Sequence, residues 1–272
     1  MRGAAKSRTL SAALLCLGVL LAAGLAMAQL RWRRRAYPDR NAIPDQAVDR
    51  DQPEDIFTFA RLRYSSWRRA NDYETDWPDA DLNLSYRLRQ LTSLKVHPKG
   101  VIIDITDENL RNYPFVYMVE PGGLELTDEE VLALRRYFEG GGFLMVDDFW
   151  GEREWQNFYL QMKRVFPGRE PQDLDISHPI FHAVIPLTAK PQMPSINVWQ
   201  ATGLTYERPD AHEPHYRAFF DDNGRMMVIA CHNTDLGDGW EREGEDPRYF
   251  QMFSEKMAYP MAINIIFYAM TH

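Results

Sequence analysis

The chain has 272 residues, 45% of them hydrophobic, with 31 basic against 39 acidic side chains and a formal net charge of −8. That supplies apolar material for one large domain or two small ones, and a chain this acidic does not hold nucleic acid by its overall field. Two cysteines allow at most one intrachain disulfide.

Arg2, Lys6 and Arg8 precede an uncharged apolar run from Leu10 to Leu25 that ends in Ala26-Met27-Ala28. A basic start, an apolar core and a small-x-small site predict a secretory signal peptide over residues 1–28, so that the mature chain is periplasmic or secreted. The competing expectation is an uncleaved membrane anchor over residues 10–30, just long enough to span. It draws on "RWRRR" (31–35), a positive cluster that hinders transfer across a membrane. Loss of residues 1–28 removes three basic side chains and no acidic one, which leaves a net charge of −11 and Cys231 as the single thiol. Residues 29–55 carry six basic and six acidic side chains, three prolines and few large apolar ones, the composition of a disordered tether. Residues 56–272 are expected to form a single α/β domain.

Within that domain "IFTFARLRY" (56–64) alternates apolar and polar residues, the strand period. Asp79 and Asp81 then precede Leu84, Leu88 and Leu91, an apolar stripe at helical spacing. "GVIIDI" (100–105) and "FVYMV" (115–119) are apolar throughout, as central parallel strands are. Thr127 to Glu130 spell a capping box that starts a helix with Val131, Leu134 and Phe138 on one face. Glycines 140–142 stop it. "FLMV" (143–146) is the next strand, and Trp155, Phe158, Tyr159 and Met162 line a further helix. Beyond Gly168 the pattern weakens until the strand "RMMVIA" (225–230) and a closing, mostly buried helix over 257–270. The succession argues for a doubly wound, mostly parallel sheet.

Four stretches bear on chemistry. The first is "GGFLMVDDFWG" (141–151), where Asp147 and Asp148 follow a strand at the edge that holds ligands in open α/β sheets. Alternation turns the two side chains apart, so one is expected to face the cleft and the other to cap the helix starting near Glu152. The second, "DISHPIFH", puts His178 and His182 four apart, but Pro179 prevents a regular helix from presenting both to a metal. A turn residue is the plainer reading of His178. The third, "ACHNTDLGDGWE" (230–241), fails the spacing of a calcium loop and reads instead as a Gly-rich turn. Its Asp235, Asp238 and Trp240 suit a polar ligand, including a sugar ring stacked on the indole. Cys231-His232 in the same stretch lacks the geometry of a thiol nucleophile with its base. The fourth, "SSWRRANDYETDWPDADLN" (65–83), is a long polar loop after the first strand, the kind of position where function concentrates.

The ordered set "RLRYSSWRRANDYETDWPDADLNLSYRLRQLTSLKV", "YPFVYMVEPGG", "LRRYFEGGGFLMVDDFWG", "DISHPIF", "DLGDGWE" and "AINIIFYAMTH" resembles the bacterial domain-of-unknown-function family numbered 4159. The resemblance implies a relative of the class I glutamine amidotransferase fold, a flavodoxin-like sheet. Active members of that fold carry a cysteine on a glycine-flanked elbow after the strand equivalent to 143–146. This chain has Asp147 and Asp148 there, between Val146 and Phe149, so the resemblance implies the scaffold without the amidotransferase chemistry.

The expectation is therefore an exported, non-catalytic binding module for a small polar ligand or an envelope protein partner. Asp147, Asp148, Trp150, His178, Asp235, Asp238 and Trp240 are its candidate binding residues, and it needs no cofactor and no metal. The alternative is a carboxylate-based or metal-assisted hydrolase acting on a polar substrate such as a glycan.

Overall fold

The computed structural model describes residues 56–272. The expected signal peptide or anchor and the tether lie outside the described residues. Among the described residues no helix is long and apolar enough to cross a membrane.

Five strands run parallel: β1 (Ala60–Arg63), β3 (Val101–Asp104), β4 (Phe115–Val119), β6 (Phe143–Asp147) and β9 (Met226–His232). Two antiparallel strands, β7 (Gln172–Asp173) and β8 (His215–Phe220), extend one side, giving the order β3-β1-β4-β6-β9-β8-β7. A separate small ribbon pairs β2 (Ser65–Ser66) with β5 (Leu124–Glu125). The chain is thus α/β with a mostly parallel sheet of seven strands.

Strand alternation distributes the core over both faces of the sheet. Phe115, Tyr117 and Val119 of β4, Phe143 and Met145 of β6, and Ile229 and Cys231 of β9 enter one apolar cluster. Helices α1 (Asp79–Leu91), α5 (Leu236–Glu241) and α7 (Tyr259–Thr271) contribute Leu84 and Leu88, Trp240, and Ile263 and Ile266 to it. The intervening residues, Val116, Met118, Leu144, Val146, Val228 and Ala230, join a second cluster. Helix α2 (Asp128–Glu139) adds Leu134 and Phe138 there, and α3 (Gly151–Val165) adds Phe158 and Met162. Helices on both faces are why β4 and β6 read as unbroken apolar runs. Short helices α4 (Ile196–Thr202) and α6 (Pro247–Tyr249), and a π-helical segment over Phe250–Ala258, lie among the later connections.

The capping box forms as the sequence predicts. Thr127 Oγ1 accepts from Glu130 N at 3.2 Å, and Glu130 Oε2 accepts from Thr127 N at 2.7 Å. Three expectations need correction. "VIID" is an edge strand, bonded to β1 alone, with only Ile103 buried, so its apolar run does not mark a central strand. Leu91 stands 57% exposed: α1 ends there, and the buried stripe stops at Leu88. "LGDGWE" is a helical turn and a half, since Asp235 Oδ1 accepts from Asp238 N at 2.8 Å and caps it.

Candidate functional site: an acidic cleft at the carboxyl edge of the sheet

β4, β6 and β9 all run toward the same edge, and each is left through a residue other than glycine in the left-handed region. These are Glu120 (φ 47°), Asp148 (φ 55°) and Asn233 (φ 62°). Asp76, in the loop before α1, is a fourth (φ 64°). L-residues adopt this conformation at a cost, and such outliers gather at functional sites. Asp76, Glu120 and Asp148 line one cleft of about 360 Å³ together with Trp150, Asp235 and Asp238. The same wall carries Arg68, Arg69, Arg208 and Arg242, and the acids Glu154 and Glu207.

The two aspartates of the opening stretch part company. Asp147 shares the parity of Phe143 and Met145, so its side chain turns toward α5 and is fully buried. Its Oδ2 accepts from Gly237 N at 2.9 Å and from Tyr117 Oη at 3.2 Å, while Oδ1 is buried without a partner. Burial pushes this carboxyl up to about 7, against hydrogen bonds that favour the anion. Asp148 reaches the cleft, where Oδ1 accepts from Trp150 Nε1 at 3.0 Å. Burial, then Glu120, Asp76, Glu207 and Asp147, raise it well above the ordinary carboxylate range.

Neither aspartate caps α3, which corrects the expectation. Its free N–H groups go to Glu154 Oε2 from Trp150 N (2.9 Å), Asn233 Oδ1 from Gly151 N (2.9 Å) and Asp210 Oδ2 from Glu152 N (3.0 Å). Gly151 is required where it stands. Its φ is 76°, and a Cβ there would meet Asp210 Oδ1 at 2.5 Å. The turn out of β6 therefore needs no glycine beside Asp148, although its absence was the sequence argument against an elbow. Asp148 itself supplies the left-handed residue.

Asp235 and Asp238 also belong to this cleft. Burial and then Asp148, Asp238, Asp76 and Asp147 raise Asp235 well above the usual range. Asp238 is held by Ile196 N at Oδ2 and by Arg242 Nε, 3.3 Å from Oδ1, and burial raises it against those partners. Trp240 is not available to a sugar. Its ring is fully buried, 5.7 Å from that of Tyr117 and 6.4 Å from that of Phe59. His178 is also outside the site. Its Nδ1 accepts from Ile180 N at 3.2 Å and its ring packs on Phe220 and Tyr268, at the sheet edge where β9 begins. It is the turn residue of the plainer reading, as Pro179 favours. Cys231 is fully buried, and burial raises its thiol well above the ordinary range, so it stays protonated at neutral pH.

The arginines of the wall are largely engaged. Arg69 grips Glu120 Oε1 and Oε2, each at 2.6 Å, and Arg68 binds Glu154 at 2.9 Å. Arg242 lies 3.3 Å from Asp238 and 2.5 Å from Glu241. Asp76, Asp148 and Asp235 have no ion pair among the described residues; besides burial, the charge of Asp76 raises both Asp148 and Asp235, and that of Asp148 raises Asp235. Asp76 is a residue that sequence reasoning missed. It lies in the polar loop at 65–83, and its position depends on Arg61, an apparent surface residue of β1. Arg61 is fully buried, pairs with Asp81 through Nε (3.3 Å) and Nη2, and donates from Nη1 to the carbonyls of Tyr73 (3.1 Å) and Thr75. Those bonds hold the loop and so place Asp76 at the cleft. Asp76, Asp238 and Glu241 bring carboxylate oxygens within 4.8 Å of one another.

Comparison with curated proteins finds no match. A protein-family model, described as a domain of unknown function, DUF4159, matches residues 58–270, from the strand that carries Arg61 to the last turns of α7. The chain therefore belongs to the DUF4159 family.

Proposed function

We propose that the cleft binds a small hydroxyl-rich or cationic ligand through its carboxyl groups, as a non-catalytic recognition module on a degenerate amidotransferase-like scaffold. The observation that carries this reading is the trio Asp76, Asp148 and Asp235. These are carboxyl groups in one cleft, without ion pairs, in an arrangement that costs backbone strain at two of them. Neutral carboxyl groups donate to hydroxyls as well as accept from them, and ionised ones attract an ammonium. The ionised form repels phosphate. The volume of about 360 Å³ suits a monosaccharide or polyamine better than a folded partner. The scaffold assignment draws support from the parallel strands and from the left-handed residue that follows β6, at the place of the amidotransferase elbow.

The test is a thermal-shift series in EDTA with glucose, N-acetylglucosamine, a hexose disaccharide and spermidine, against phosphate and ATP. A ligand of the native state raises Tm, so a rise with a sugar or with spermidine is expected. A protein that responds to phosphate alone, or to none of the probes, overturns the reading.

One observation favours a hydrolase as the second reading. Burial raises both Asp148 and Asp235 well above the ordinary carboxylate range, and the charge of Asp148 adds to the rise at Asp235; a carboxyl raised in this direction is what general-acid catalysis requires. Asp148→Asn separates the two. A recognition module loses affinity, whereas a hydrolase keeps affinity and loses turnover.

A further inference from the structure

We propose that Asp76, Asp238 and Glu241 bind a hard divalent cation, of the calcium, magnesium or manganese kind, at the inner wall of the cleft. The proposal does not need the polar ligand of the preceding section, and that ligand does not need the cation.

The three residues come from two separate elements. Asp238 and Glu241 stand three apart on α5, hence on one side of it, and Asp76 arrives from the loop that Arg61 holds. One oxygen of each lies within 4.8 Å of the others, a span that a single ion bridges with oxygen bonds of about 2.0–2.6 Å. The donors are oxygen only, which suits hard cations and not thiophilic ones.

Charge proximity alone would not make a site, since acids also cluster where arginines neutralise them. Asp76 supplies the independent sign. Its Oδ2 is buried and has no hydrogen-bond partner. It points at the backbone of α5, where a Cβ on Gly237 would stand 2.5 Å from it. A glycine thus opens the path by which this carboxylate enters the cluster. Glu241 Oε2 is buried too, and Arg242 Nε lies 2.5 Å away without hydrogen-bond alignment. Arg242 is the cation in contact with the cluster. Arg242 also pairs with Glu245 at 3.3 Å, so it offsets at most one of the three carboxylate charges and at least two remain for a divalent ion. The other nearby cation, Arg61, is committed to Asp81 and to two carbonyls. Burial, then the charges of Glu241 and Asp238, raise Asp76 well above the ordinary range.

The motif escapes a sequence scan for a physical reason. A calcium loop places its ligands within one short segment, and this set needs two segments more than 150 residues apart, joined by tertiary packing.

The experiment is a titration of the full-length chain with Mn2+, following the resonance signal of free Mn2+, with Ca2+ and Mg2+ as competitors. One site is expected, filled below about 1 mM, the weak end for oxygen-ligand cation sites. Asp76→Asn and Glu241→Gln are each expected to weaken it at least tenfold, and Asp104→Asn, an exposed acid on β3, to leave it unchanged. Melting supplies a second readout, independent of affinity. In EDTA, Asp76→Asn should melt higher than wild type, because a buried carboxyl with no donor is gone, yet Mn2+ should no longer raise its Tm. Free Mn2+ undiminished at about 1 mM, or equal binding by wild type and both variants, overturns the proposal.

Discussion

Asp148 occupies a left-handed backbone at φ 55° while its Oδ1 serves Trp150 Nε1 and its N–H donates to Thr234 O at 3.2 Å. Asparagine and aspartate visit this region more readily than other L-residues, and a β-branched side chain there is a true outlier. Asp148→Asn is therefore expected to leave urea stability near wild type, since it keeps both the backbone tolerance and an oxygen for Trp150. Asp148→Val should cost about 1–2 kcal/mol. A valine variant as stable as wild type would show that the turn relaxes and stores no strain. In the cleft the asparagine exchanges a carboxyl for an amide, so affinity for a polar ligand falls where stability does not. The separation of the paired aspartates was legible from strand alternation. Which of them faced inward depended on the parity of Phe143 and Met145 and on where α5 lay, and the second is a tertiary fact.

At the scale of elements, Arg61 connects β1 to the cleft. Its guanidinium binds Asp81 on α1, a pair wholly out of reach of water, and the carbonyls of Tyr73 and Thr75. Removing one partner of a buried pair leaves an uncompensated charge and costs roughly 3–5 kcal/mol. Arg61→Met should lose that much, read from urea midpoints, and should free the loop at 71–76, read as faster amide exchange there than in α2. Unchanged exchange in the loop would mean that Arg61 does not position Asp76. The sequence hid this role because Arg61 fills the polar slot of "FARLR", where alternation predicts a solvent-facing side chain. Where local chemistry is sufficient the reading was sound. The capping box, the glycine stop and the runs of β4 and β6 all lie where composition put them. Helix α5 was not legible, since "LGDGWE" has two glycines and weak helix propensity. Burial of Trp240 and the Asp235 cap form it. The antiparallel strand β8 was missed although it was legible: Pro214 precedes "HYRAFF" and "DDNG" (221–224) follows it, the turn signals of a hairpin with β9.

At the scale of the molecule, the sheet carries two buried titrating groups whose pH effects oppose each other. Asp147 lies on the α5 side, with Tyr117, Tyr216, Cys231 and the cleft acids Asp148 and Asp235 as its titrating neighbours, and burial raises its carboxyl to about 7. His232 faces the opposite side, packed at a tilt against the rings of Phe149 and Trp155. Its Nδ1 accepts from Arg217 Nη1 at 2.9 Å, so its Nε2 carries the proton donated to Gly151 O at 3.0 Å. Burial, with Arg217 and His215 adding to it, lowers this imidazole to about 3. Asp147 folds neutral, so its contribution to stability is full below about pH 4 and is lost as pH rises to about 7. His232 also folds neutral, but it is a base, so its contribution is full above pH 6.5 and is lost as pH falls toward 3. Between about pH 4 and 6.5 each slope is about 1.4 kcal/mol per pH unit, and the two have opposite signs. Asp147→Asn should therefore lose stability relative to wild type by about 1.4 kcal/mol for each unit of acidification through that window. His232→Gln should gain by the same slope, whatever its fixed loss of packing, and the double variant should run parallel to wild type. Urea unfolding at half-unit pH steps measures all four slopes. Parallel curves for wild type and Asp147→Asn would mean that the carboxyl titrates as it does in the unfolded chain, and that its burial on the α5 side is relieved by water.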